Sequence, residues 1–172
     1  MNKQNILAPI MRHIARLSSL AVIIALLFAA MASVQSAHAD MNTDAVLLQQ
    51  LARVRQATAR YHDVSQAEAA GYVDIGLFVS GQGWHYLNSS LIDDTFDLEN
   101  PEILVYAPTP NGGRRLVAVE YAVPDSFPVP EGFFGDSDVW NDNLDFHLWT
   151  LHAWVWQGNP NGMFADSNPD VP

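Results

Sequence analysis

The chain is predicted to be an α+β protein, with an N-terminal helical layer packed on a curved antiparallel β-sheet. Three observations lead there. Apolar residues recur at helical spacing between Thr43 and Tyr61. After Gly71 the period changes to two. Turn residues then separate the later segments closely enough for hairpins. Helices first and strands after is an α+β order. A more closed β-barrel with the helix at one end is the alternative architecture.

The elements follow in order. Leu47, Leu51, Val54 and Tyr61 form one stripe, while Arg53, Gln56 and Arg60 lie away from it, so residues 43–60 read as an amphipathic helix. Asn42 or Thr43 can cap its start. Ser65-Gln66-Ala67-Glu68 matches a capping box and predicts a short second helix, which Gly71 ends in a left-handed conformation. Tyr72–Val79 is a strand, Gly81-Gln82-Gly83 a turn, and Trp84–Leu87 the next strand. The acidic stretch Leu91–Pro101 is a loop. Ile103–Tyr106 and Leu116–Val123 are strands around the hairpin loop Pro108–Gly113. Pro124–Asn143, rich in Pro, Gly and Asp, is a long loop, and Phe146–Trp156 is the last strand. In the tail, Asn159-Pro160-Asn161-Gly162 predicts a sharp turn, and Met163-Phe164 a short apolar plug folding back on the sheet.

Residues 1–39 read as a signal peptide. Lys3, Arg12 and Arg16 precede an apolar run from Leu17 to Met31, and Ala37-His38-Ala39 is a cleavage site. Cleavage after Ala39 leaves residues 40–172 as a single globular domain with no stable membrane anchor, in the periplasm or outside the cell. The chain has no cysteine, so neither disulfides nor thiolate metal ligands are available. From Asp40 onward five arginines and no lysine face nineteen acidic residues, a formal charge of −14. Such a surface repels phosphate backbones, so nucleic acid is excluded as a partner. The expected partners are a small molecule or a metal ion.

Four histidines lie beyond the signal peptide: His62, His85, His147 and His152. His62 falls near a helix C-terminus, where a histidine interacts with the helix dipole. His85 alternates with Trp84 and Tyr86, so it faces the other way. Glu120 stands inside an apolar strand, on the face assigned to Leu116, Ala118 and Ala122. A buried carboxylate there needs a partner, because burying a lone charge is expensive. In the last strand His152, Trp154 and Trp156 share a face with Thr150. His147 belongs to the Trp149 face unless a bulge brings it across. Neutral imidazoles and a carboxylate are ligands for a divalent transition metal, zinc or copper. The expected set is His85, Glu120 and His152, with His147 as the candidate fourth ligand. Trp154, Trp156 and Tyr86 are the candidate ligand-binding aromatics, able to line the pocket of a non-catalytic binding module. No catalytic residue is assigned. There is no G-x-S-x-G elbow, and a two-carboxylate glycosidase pairing Glu120 with Asp93, Asp94 or Asp145 ranks below the metal reading.

The segments AGYVD (Ala70–Asp74), GQGWHYLN (Gly81–Asn88), PEILVYAP (Pro101–Pro108), RLVAVEYAVP (Arg115–Pro124) and LHAWVWQGNPNGMFADSNPDV (Leu151–Val171) resemble a group of uncharacterised exported bacterial proteins. The resemblance spans nearly the whole of residues 40–172. It implies polar positions at His85, Glu120 and His152, and carries no activity. A histidine four residues before the LH histidine is expected in that group; Leu148 stands there instead, which sets His147 apart.

Overall fold

Why the sheet curves, and which way its side chains point, follows from a few residues in its central strands. The computed structural model describes Met31 and residues 43–172; the rest of the expected signal peptide, its expected cleavage site and the Asn42 cap lie outside the described residues. Helix α1 occupies residues 43–58, and a 3₁₀ turn follows at Ala59–His62. Helix α2 is Val64–Ala69. The strands are β1 Val73–Val79, β2 Gly83–Leu87, β3 Ile103–Pro108, β4 Arg114–Pro124, β5 Asn141–Asn143 and β6 Leu148–Ala153. They form one antiparallel sheet in the order β1-β2-β3-β4-β6-β5. The α+β architecture with a curved sheet is the one the sequence predicts. The sheet is open, with β1 and β5 at its edges, so the closed-barrel alternative does not hold.

The predicted stripe of α1 is the one that packs. Leu51, Val54 and Tyr61 are buried with Leu47 beside them, against Leu104, Tyr106, Val119, Tyr121 and Leu151 on one face of the sheet. The Tyr106 hydroxyl donates to the Tyr61 carbonyl at 2.6 Å, tying β3 to the 3₁₀ turn. Thr58, fully buried, turns its hydroxyl back to the Val54 carbonyl at 2.7 Å. The cap of α2 differs from the expected capping box. Asp63 accepts from the Ser65 backbone N–H, so the helix starts two residues early and Ser65 lies inside it. Both residue types cap well, and the one nearer the bend at Asp63 takes the role. Gly71 is left-handed as expected, at φ +97°.

The second face of the sheet is smaller and holds Ile103, Val105, Ala107, Val117, Ala118, Ala122 and Trp154, with Val171 from the tail. Strict alternation assigns Leu116 to this face, but Leu116 packs on the helical side and Val117 takes its place. The cause is a bulge: Val105 pairs with Ala118 and Tyr106 with Leu116, leaving Val117 extra. Beyond it, Ala118, Glu120 and Ala122 share one face as expected, and that face points away from the helices.

Gly83 fixes how β2 enters the sheet. Its φ is +116°, and a Cβ there would lie 2.5 Å from the Tyr106 carbonyl oxygen. Only glycine allows the two backbones so close. The tail is docked, as the turn signals predict. The Trp154 N–H donates to the Met163 carbonyl at 2.9 Å, the Asn168 N–H to Gly81 at 2.7 Å, and the Gly81 N–H to Pro172 at 3.1 Å. Phe164 and Val171 are buried. From Ala45 to Pro172 the chain forms one compact unit. No helix among the described residues is long and apolar enough to cross a membrane.

Candidate metal centre

Three strands bring three side chains to one point. Glu120 pairs directly with His152 across β4 and β6, on the face away from the helices. His85 lies two strands from Glu120: it pairs with Val105, while Glu120 pairs with Ile103. Ala118, opposite Val105, has too little side chain to block the diagonal between them. His85 Nε2 is 3.5 Å from Glu120 Oε2, and His152 Nδ1 is 3.7 Å from Glu120 Oε1. One donor atom from each residue lies within 4.8 Å of the others. All three are buried, at 3%, 4% and 1% exposure for His85, Glu120 and His152. This His-Glu-His group could hold a metal ion.

The surroundings set the protonation states. His85 Nδ1 lies 3.3 Å from the Leu77 carbonyl, which can only accept; with the proton on Nδ1, the lone pair of Nε2 would face Glu120. The contact falls where the register of β1 against β2 is irregular, between Asp74 and Phe78. A ring nitrogen held by a carbonyl while the other faces the site is the usual support for a ligating histidine. Burial raises the Glu120 pKa to about 7, against the opposing pull of His85 and a hydrogen bond from the Thr150 side chain. Burial lowers that of His152, and the Asp166 charge opposes the shift. His152 is therefore held as neutral imidazole, the form that ligates. Neither of its ring nitrogens has a hydrogen-bond partner, although both are buried. The indole of Trp154 stacks against the ring, with centroids 5.9 Å apart and planes 14° apart.

His147 does not join the group. It sits at φ 56° in the turn before β6, with its side chain 80% exposed and Nδ1 3.2 Å from Asp125 Oδ2. The strand begins only at Leu148, so alternation does not reach it. The aromatic expectations also need correction. Trp156 lies beyond the end of β6 and donates from Nε1 to Thr58 Oγ1 on α1, with its ring against His62. Tyr86 packs edge-on against Tyr106 in the helix-side core. Trp154 is buried behind His152, its Nε1 donating to the Ala165 carbonyl at 2.6 Å. None of the three lines the cleft over the site.

That cleft has a volume of about 690 Å³. His85, Glu120 and Thr150 form its floor; Ile75, Leu77 and Val79 of β1 and Leu148 of β6 form apolar walls; residues 141–146 form its rim. Only the end of the long loop, from Asn141 on, contributes.

Asp166 was not anticipated from sequence. Its Oδ1 lies 3.7 Å from His152 Nδ1, and its Oδ2 accepts from Gln82 Nε2 at 3.1 Å. The signal available was a carboxylate two residues after the apolar plug, in a tail expected to fold back on the sheet. Glu102 is a second buried carboxylate missed by sequence. It accepts the Ala122 N–H at 2.9 Å, and burial raises its pKa to about 8. It acts as a backbone partner at the start of β3.

Comparison with protein-family models, curated proteins and solved structures finds no match.

Proposed function

We propose that the chain is an exported soluble protein whose His85, Glu120 and His152 bind one divalent transition metal ion, zinc or copper, with an open position facing the cleft. One observation carries the reading: the donor separations of 3.5 and 3.7 Å around Glu120. Tetrahedral bonds of about 2.0–2.2 Å place neighbouring ligand atoms roughly 3.3–3.6 Å apart, close to the two Glu120 contacts, and the whole donor set, spread over as much as 4.8 Å, would draw in by about 1 Å around an ion. The Leu77 carbonyl behind His85 Nδ1, the neutral His152 and the unpartnered nitrogens of His152 support it. Two imidazoles and a carboxylate suit zinc and copper, and no thiolate competes. Three protein ligands and an adjacent cleft are the arrangement of metal sites that admit a further ligand. Export rests on the leader and cleavage pattern of residues 1–39.

The test is metal analysis of protein spanning residues 40–172, dialysed against zinc or copper and then against buffer. About one ion per chain is expected, falling below a tenth in Glu120→Ala and His152→Ala variants that retain their fold by circular dichroism. Absence of stoichiometric metal in the unaltered protein, or full retention in both variants, would refute the reading.

A further inference from the structure

We propose that the cleft selects a neutral nitrogen donor with an apolar body, such as a substituted imidazole, and excludes anions; this rests on the metal reading above. The lining carries the argument. Glu120 lies at the floor, Asp166 beside it, and Asp142 and Asp145 on the rim, while among the described residues no lysine or arginine lines the cleft. A divalent ion would offset two of these four negative charges and leave the cleft acidic. A phosphate ester or carboxylate entering it would lose its hydration and find no cationic partner, which is costly. The walls are apolar, from Ile75, Leu77, Val79 and Leu148, and reward burial of a hydrocarbon or aromatic body by about 25 cal/mol per Å².

The second observation fixes the head group. His152, 1% exposed and without a partner at either nitrogen, points Nδ1 at both Glu120 and Asp166. A metal bound between His152 and Glu120 would therefore have Asp166 next to it on the cleft side. Asp166 is held there by Gln82 and is itself half exposed, with its side chain at 57%. Asp166 adds negative charge beside the metal position, so a ligand that gives a neutral lone pair enters without repulsion. An imidazole does this; a carboxylate gives a lone pair but is repelled by Asp166.

The experiment is calorimetric titration of zinc-loaded protein with two probes of similar size, 4-phenylimidazole and 3-phenylpropionate, at pH 7.5. The phenylimidazole is expected to bind at least about tenfold more tightly than the carboxylate. The carboxylate's affinity should rise at least about threefold in Asp166→Asn, normalised to zinc content, while that of the phenylimidazole stays within about twofold, since the substitution removes a repelling charge. Zinc-loaded protein that binds the carboxylate as tightly, or binds neither probe, overturns this proposal alone. Protein that takes up no zinc overturns the metal reading and this proposal with it.

Discussion

Phe164→Ala should destabilise the protein by about 3 kcal/mol. Phe164 is 5% exposed and lies against Phe133, with ring centroids 4.8 Å apart. Truncating a buried phenylalanine costs roughly 3–5 kcal/mol from lost transfer energy and the cavity left behind. The lower end applies because the segment is near the C-terminus and can move to fill part of the space. For a domain of this size each kcal/mol shifts Tm by about 3–5 °C, so a fall of roughly 10–15 °C is expected. Thermal unfolding followed by circular dichroism, with and without zinc, measures it. The zinc arm matters because the same tail carries Asp166. Removing residues 159–172 altogether also releases their ordering entropy, so its net effect is smaller than the sum of lost contacts. It leaves the buried Trp154 indole and backbone N–H groups without their Ala165 and Met163 acceptors, each worth about 1–3 kcal/mol if water does not replace them. A Tm within about 2 °C of the unaltered protein for Phe164→Ala would show that the tail does not dock, and would remove the reason for placing Asp166 beside His152.

Gly83→Ala should cost more than the usual few tenths for a surface strand, because the added Cβ meets the Tyr106 carbonyl at 2.5 Å and φ is +116°; chemical denaturation should give a loss of roughly 2 kcal/mol or more, and a neutral result would refute the close approach. His147→Ala should leave zinc content and zinc affinity within about twofold of the original, measured by competition with a chromophoric chelator, since its ring is tied to Asp125 at the surface. Zinc affinity should fall as pH drops through 7, by about fivefold from pH 7 to 6 and about tenfold more from 6 to 5, because Glu120 must lose a proton to ligate and its pKa is raised to about 7. A flat profile down to pH 5 would mean an ordinary carboxylate and would contradict its burial.

The parts of the fold set by local chemistry were legible. The α1 stripe, the change of period after Gly71 and the turns at Gly81–Gly83 and Pro108–Gly113 each act over a few residues. So do the rules that put His85 opposite Tyr86 and Glu120 among Ala118 and Ala122. What failed depends on contacts distant in sequence. The bulge at Val117 moves Leu116 to the helical face, and nothing in RLVAVEY marks it; a strand that had to satisfy two neighbours in register produced it. The last strand was read to Trp156, yet ends at Ala153. Beyond it the Trp154 N–H turns to Met163, while those of Trp156 and Gln157 both turn to Val117. That redirection sends Trp156 to α1 and removes it from the site. His147 lies one residue outside β6 in a left-handed turn, so period-two reasoning had no hold on it. Asp166 could be found only by knowing where the tail returns.

The centre also bears on how the fold tolerates its own interior. Glu120 is raised to about 7 against an ordinary value near 4.5, so in metal-free protein its contribution to stability is present below about pH 4.5 and lost as pH rises through 7. That loss is on the order of a few kcal/mol for a carboxylate this deep. His152 works in the opposite sense: with its pKa lowered by burial, it costs stability as pH falls below about 6.5, where the unfolded chain takes up a proton that the folded chain refuses. Between these limits the folded chain keeps the proton on the carboxyl and the unfolded chain keeps it on the imidazole. The two slopes therefore offset one another near pH 5–6, and the uncompensated cost appears above pH 7, where Glu120 is ionised without a cation in contact. A divalent ion coordinated there removes that cost at the pH where it is greatest, because it needs the carboxylate ionised and the imidazoles neutral. A His-Glu-His group buried solely for stability would be better replaced by apolar residues. Its retention beneath a cleft, with two unpartnered ring nitrogens and a tail carboxylate 3.7 Å away, is the physical reason to read it as a binding centre.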